Sequence, residues 1–317
     1  MCIRDRVGAG LGSFLPGCDR AALSIELVLD SEGRCQRFSL QPSLVRADLC
    51  LSHGQIAAFL DASQPDPEVP QAGRVSEWLG HFKTIATLLR GQRFGRGSFD
   101  VPSAKGRSFY GREDDRGTIT DPLTARALLA EVMIAANAAV ASHLRALGLP
   151  ALYRVQAAPN ATDVQETLKL VVNLGLDLAP AAPDMIEPQD IQQFLQQAIE
   201  PQTRKILSSL LLPTLRPPHF SATPRPHFAL ALEQYVTFNA PARHYADFLT
   251  QRVLTALFDQ GRDRRSARVK EGVNLQDSAC HGAITWAILP ADLHQDLETD
   301  FALVAGPMSD RERTIQD

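Results

Sequence analysis

Apolar and polar positions alternate from Ala21 to Phe38 around Asp30-Ser31-Glu32-Gly33, which predicts two short strands joined by a turn. The proline-rich residues Gln64–Pro70 read as a loop. From Ser76 to Gly91 the period changes to that of a helix, with Trp78, Leu79, Phe82, Ile85, Leu88 and Leu89 near 3.6 spacing. Glu113-Asp114-Asp115-Arg116-Gly117 reads as a turn, with a metal site as the alternative use of its acids. Asp121-Pro122 supplies an N-cap acceptor and a first-turn proline for the longest helix. Its expected buried stripe is Leu128, Val132, Ala135, Ala139 and Leu144, and Gly148 with Pro150 ends it. Further helices are expected over Ala161–Leu174, Gln189–Ile199 and Gln202–Leu212, and Pro241 fits the first turn of another. Past Asp259 the pattern yields no assigned element.

Composition narrows the class. A chain of 317 residues with 44% hydrophobic content fits one large domain or two smaller ones. No apolar run approaches the ~18 residues that suggest a membrane span, so no membrane partner is expected. The formal net charge of −4 argues against a global nucleic-acid field but leaves room for a local basic channel. Cys2, Cys18, Cys35, Cys50 and Cys280 are scattered, without CxxC or zinc-ligand spacing. They read as reduced thiols in a cytoplasmic protein. Met1-Cys2-Ile3-Arg4-Asp5-Arg6 lacks the apolar stretch of a secretory signal. Residues 1–13 are expected to be a non-native or disordered leader.

The most informative stretch runs from His227-Phe228-Ala229-Leu230-Ala231-Leu232 through Tyr235, Phe238 and Pro241 to Arg243-His244-Tyr245-Ala246-Asp247. It resembles the pattern H-F-G-L-A-L-x-x-Y-x-x-F-T-S-P-I-R-R-Y-x-D of the RNB family of 3′→5′ exoribonucleases. Other blocks fall in the family's order. These are Ser43-Leu44-Val45-Arg46, Arg96-Gly97-Ser98-Phe99-Asp100, Glu131-Val132-Met133-Ile134-Ala135-Ala136-Asn137 and Pro150-Ala151-Leu152-Tyr153-Arg154-Val155. The resemblance places a short helix at Gln55–Leu60 and a second strand at Ser108–Tyr110. It implies an α+β fold, a mixed sheet surrounded by helices, lacking its N-terminal part. The expected division is a partial RNB-like domain over residues 14–262 and an unassigned segment over 263–317.

The resemblance implies hydrolysis of single-stranded RNA to nucleoside 5′-monophosphates, with two Mg²⁺ ions at the scissile phosphate. The family holds its metal with a D-x-x-x-x-x-D-x-D-D cluster, and this chain contains none. The expectation is a monomeric fragment that binds single-stranded RNA, holds no metal and is inactive alone. A catalytically inactive RNA-binding or scaffold protein of RNB descent is the alternative. An unrelated helical protein with a chance motif is a third reading.

Arg243 is the expected catalytic residue, stabilising transition-state charge at the phosphate. Spacing alone favours an i,i+4 ion pair with Asp247 on an exposed helix face, and it is the resemblance that turns the reading toward the phosphate. The resemblance assigns RNA contacts to Phe109, Tyr110, His227, Tyr245, Arg252 and Arg46. The bland readings are strand packing for Phe109 and Tyr110, and core positions for His227 and Tyr245. Ala240, Ala242, His244, Pro213, Gln156 and Gln251 depart from the family's residues, which puts intact activity in question. The basic run Arg262, Arg264, Arg265, Arg268 and Lys270 reads as a solvated face or a weak phosphate patch.

Overall fold

The alternating segment folds as an antiparallel pair, β1 (Asp19–Leu29) and β2 (Cys35–Arg46), with Ile25 opposite Leu40 and Leu27 opposite Phe38. The structure is a computed structural model and describes residues 10, 12–60, 69–100, 124–173, 185–198, 200–266 and 268–316. In the turn, the Asp30 carboxylate accepts the backbone N–H groups of Glu32 and Arg34, each at 2.9 Å. Gly33 has φ 83° there, and a Cβ would lie 2.8 Å from the Leu88 side chain, so both dihedral and space call for glycine. Leu23, Ile25 and Leu27 face the core beside buried Phe38 and Leu40.

The hairpin leads into α1 (His53–Leu60), α2 (Ala72–Gly95) and α3 (Ala125–Ala146). Thr124 caps α3, its side chain accepting Ala127 N–H at 3.2 Å. The helix therefore starts later than the expected Asp121-Pro122, which lies outside the described residues, as does Glu113–Gly117. Leu128, Ala139 and Leu144 are buried, whereas Val132 and Ala135 are half-buried. Ile134, Ala136, Val140 and Ala141 are buried as well, so α3 is enclosed on most sides and has no single stripe. Among the described helices α3 is the one long and apolar enough to cross a membrane, but 61% of that stretch is buried inside the protein. It is the central core helix.

Then follow β3 (Tyr153–Val155), α4 (Ala161–Asn173), α5 (Pro188–Gln197) and α6 (Pro201–Leu211). The chain continues through β4 (His219–Ser221), α7 (Tyr245–Gln260) and α8 (Ala291–Gln316). Among the described residues the sheet component is two antiparallel pairs, β1–β2 and β3–β4, in an α+β fold. One core joins the hairpin, α3, α7 and α8. A second joins α4, α5 and α6 around Phe99, Leu215 and Phe228.

The segment after Asp259, for which no element was expected, is built into the first core. Leu275, Cys280, Ile288, Leu289, Leu297 and Phe301 are buried there. Phe220 N–H donates to Ser309 Oγ of α8 at 2.9 Å, and Arg154 pairs with Glu312. Apolar positions separated by loop residues carry no clear period, which is why the sequence alone did not reveal their packing.

A buried ion network joins α2 to α3. Arg93, 2% exposed, reaches Glu131 at 2.5 and 2.8 Å, Ser98 Oγ at 3.0 Å and Asp100 at 2.9 and 3.2 Å. Arg90 also contacts both acids, each at 3.1 Å. Arg96, exposed at the edge of this network, has its pKa lowered by partial desolvation of its guanidinium and by the nearby Arg93 charge.

Candidate nucleic-acid interface

Two polar side chains from different helices hold Phe238 in the signature segment. Asn137 of α3 accepts Phe238 N–H at 3.3 Å, and Gln251 of α7 donates to Phe238 C=O at 2.7 Å. Asn137 also donates to the Tyr235 hydroxyl at 2.9 Å, and burial pushes that phenol up to about 12. Gln156 braces the other end. Its side chain accepts Ala229 N–H at 2.9 Å and donates to Arg216 C=O at 2.8 Å.

Beyond Phe238 the chain turns before it becomes helical. Ala240 C=O accepts the N–H groups of both Arg243 and His244 at 2.9 Å. Asp247, 1% exposed, points back into this turn and accepts Thr237 Oγ1 at 2.5 Å and Ala240 N–H at 2.8 Å. His244 Nδ1 lies 3.6 Å from it. The i,i+4 pairing of Asp247 with Arg243 on an exposed face is therefore incorrect. Pro241 likewise lies in the turn, with the helix proper beginning at Tyr245. Asp247→Ala would strand the Ala240 N–H and the Thr237 hydroxyl. It is expected to cost about 2–3 kcal/mol in urea unfolding, because the lost bonds involve a buried charge.

Arg243 emerges exposed from this braced turn, and its guanidinium has no hydrogen-bond or ion-pair partner among the described residues. Beside it, Tyr245 and Phe248 are 56% and 51% exposed, with near-parallel rings 6.2 Å apart. The core position considered for Tyr245 is thus not what the structure shows. Arg252, one turn further along α7, is exposed and pairs with Asp300 at 3.0 Å.

The other sequence-derived residues lie elsewhere. His227 is 2% exposed, edge-on to Tyr235 at 5.8 Å. Burial, with the Arg154 charge adding to it, brings its pKa down to about 3. A ligand could not touch this ring without opening the core, so the RNA contact assigned to it gives way to the core reading. Arg46 pairs across the hairpin with Asp19 at 2.6 Å, which raises its pKa. Phe109 and Tyr110 lie outside the described residues. The structure thus brings together Arg243, Tyr245, Phe248 and Arg252 on one face of α7 and the turn before it.

Sequence reasoning missed the supporting roles of Asn137, Asp247, Gln156 and Gln251. Their signal was polarity inside otherwise apolar blocks. The buried carboxylates do not fit a magnesium site. Glu131 is held by two arginines, Asp247 by the turn it caps, and Asp277 by Arg37 and Ala279 N–H. Among the described residues no group of three or more His, Cys, Asp or Glu could hold a metal ion.

The RNB domain family model matches residues 5–260. The chain belongs to the RNB domain family. It is 34% identical over 314 residues to the acetazolamide conferring resistance protein zam of Synechocystis, covering 97% of this chain and 40% of that one. It is 27% identical to ribonuclease R of Aquifex aeolicus over 256 residues, covering 79% of this chain and 35% of that enzyme. The chain thus spans about two-fifths or less of these curated relatives' length. Among solved structures, the RNB fold here is similar to apo RNase R of Mycoplasma genitalium. The TM-score is 0.77 at 21% identity, covering 98% of this chain and 44% of that one. It is also similar to yeast Ssd1, described as a pseudonuclease, with TM-score 0.59 at 21% identity, covering 94% of this chain and 34% of that one.

Proposed function

We propose that this chain is the RNA-engaging part of an RNB-type 3′→5′ exoribonuclease and that by itself it binds single-stranded RNA without hydrolysing it. The observation that carries the reading is the uncommitted Arg243 on a turn braced by Asp247, next to the exposed Tyr245–Phe248 pair. A guanidinium offers a planar fork to phosphate oxygens, and exposed aromatic faces accept unpaired bases regardless of sequence. Mycoplasma genitalium RNase R, which shares the fold, has been solved with ribose-methylated single-stranded RNA and with double-stranded RNA. In the complete enzyme, Mg²⁺ would activate water and stabilise the leaving oxygen. Its ligands would come from outside the buried carboxylates described above. A cytoplasmic setting accords with Cys18, Cys35, Cys50 and Cys280, which are all free thiols.

The second reading is an inactive RNA-binding protein of the same descent. It draws support from Gln156 and Gln251, where the family resemblance has histidines, since both are committed to backbone groups. The named pseudonuclease among the structural relatives is a precedent for the fold without the activity.

The test is anisotropy of a fluorescein-labelled single-stranded oligoribonucleotide. Arg243→Ala is expected to weaken binding about 10-fold or more, the equivalent of one charged hydrogen bond. Tyr245→Ala should do the same through lost stacking. Unchanged affinity in both variants would remove the proposed interface. Shortening of the oligonucleotide from its 3′ end by this chain with Mg²⁺ would overturn the claim of inactivity.

A further inference from the structure

Immediately after α7 lies a loop that the family match does not cover. Within it Arg262, Arg264, Arg265, Arg268 and Lys270 are all exposed, against the acids Asp263 and Glu271. Arg264 is tied to Asp263 at 3.1 Å. The other four make no side-chain hydrogen bond or ion pair among the described residues.

The loop is anchored rather than trailing. Its base is closed by Val273 N–H donating to Asp263 C=O at 2.9 Å. Arg262 N–H donates to Ile288 C=O at 2.9 Å, and Trp286 Nε1 donates to Arg262 C=O at 2.8 Å. Gly272 permits the closure, because a Cβ there would lie 1.9 Å from the Asp263 carboxylate. Ile288, on which the loop hangs, belongs to the main core.

A basic cluster after a helix often serves only the helix dipole. That explanation fails here. The dipole's influence falls off within the last turn, whereas α7 ends at Gln260 and the free cations extend to Lys270. The charge is also local, since the whole chain carries −4. Five cations held in one loop against two acids repel one another, and a bound polyanion relieves that repulsion while releasing its own condensed counterions.

We propose that the 262–270 loop is a second phosphate-backbone contact for single-stranded RNA, outside the RNB-matched region. It rests on the RNA-binding reading above and extends it. Helix rise places this loop ~24 Å beyond the Arg243 turn along α7. The exposed face between them carries Tyr245, Phe248 and Arg252. A strand engaged at Arg243 would run along this face to the loop. The loop would add affinity without sequence preference, and that contribution would be strongly salt-dependent.

The experiment measures oligoribonucleotide affinity against salt for the full chain and for R265E/R268E/K270E. The expected result is at least a 10-fold loss at ~50 mM salt and a log–log salt slope shallower by about 0.7 per lost phosphate contact. K169E/K205E/R311E, three exposed positions elsewhere, makes the same change in net charge and should leave the slope nearly intact. Equal losses in the two triples would reduce the effect to net charge and overturn the proposal. An unchanged slope in the loop triple, with wild-type binding intact, would overturn this inference alone. Absence of wild-type binding would overturn the RNA reading as well. Loss of sedimentation with phosphatidylserine vesicles, with RNA affinity unchanged, would assign the loop to membranes and also overturn it. Should the glutamate triple fail to fold, R265Q/R268Q/K270Q carries the same test.

Discussion

Arg93→Met is expected to destabilise the protein by about 3–5 kcal/mol, the usual cost of removing one partner from a buried ion pair. The residue is 2% exposed and contacts Glu131, Asp100 and Ser98. Its loss would leave Glu131, itself 4% exposed, with Arg90 as the remaining arginine of the network. A buried carboxylate with half its compensation gone must either stay charged at a desolvation cost or take up a proton. Urea unfolding at pH 7 would register the loss as a lower midpoint with an unchanged slope. The double variant Arg93→Met/Glu131→Leu should recover a large part of it, because burial without charge avoids the penalty. A single variant within about 0.5 kcal/mol of the parent, on the scale of an ordinary surface change, would show that the network contributes little to holding α2 on α3.

The elements that sequence reasoning placed well are those with strong local signals. The alternation around Asp30–Gly33 became β1–β2, and Ser76–Gly91 became the interior of α2, although Trp78 and Ile85 of its expected apolar face are 59% and 43% exposed. The helices expected over Ala161–Leu174, Gln189–Ile199 and Gln202–Leu212 appear within a few residues of those limits as α4, α5 and α6. At α5, Glu187 and Asp190 form a reciprocal capping box around the first-turn Pro188, a signal contained in four consecutive residues that the sequence reading did not use. What stayed hidden was contact between distant residues. Arg93 meets Glu131 38 positions away, and His143 meets His281 138 positions away. Periodicity reports which face of an element is apolar, but it is silent on which polar side chains converge when elements pack.

The site shows the same division. Pattern matching singled out Arg243, and the structure presents it as exposed on a turn. The reason the turn holds is Asp247, for which the sequence offered a surface ion pair with Arg243 as the alternative, because an acid four residues after an arginine has an obvious partner there. Tyr245 illustrates the opposite error. An aromatic in an apolar-looking helix is more often core, yet here it stacks on Phe248 at the surface. Side-chain direction at the first turn of a helix depends on how the preceding turn enters, and the hydrogen bonds of Asp247 set that geometry.

Acidification from pH 6.5 to about 4 is expected to remove several kcal/mol of stability through buried neutral histidines. His143 is fully buried between α3 and the segment carrying His281. Its Nε2 faces Leu275 C=O at 2.9 Å, which can only accept, so Nε2 carries the proton. Its Nδ1 then accepts from His281 Nε2 at 2.8 Å. Protonating Nδ1 would set two N–H groups against each other beside Phe38, on which both rings pack edge-on. Burial, then the His281 charge, brings His143 down to about 4, and burial brings His227 down to about 3. His281 is lowered by burial too, while Asp277, paired with Arg37, works in the other direction. Both buried histidines have folded-state pKa values below the unfolded value, so the unfolded chain binds more protons between them. Stability therefore falls as pH drops below ~6.5 and stops falling from this source once the folded pKa is passed. At about 1.36 kcal/mol per unit the shift of His143 corresponds to on the order of 3 kcal/mol and that of His227 to on the order of 5, of which about 3 falls above pH 4. Urea midpoints at half-unit steps from pH 7.5 to 4.5 would trace the loss. His227→Phe and His143→Gln should each reduce the slope by about one proton over that window. A stability profile flat from pH 7 to 5, or slopes identical in the variants and the parent, would show that these rings are not held neutral by the fold.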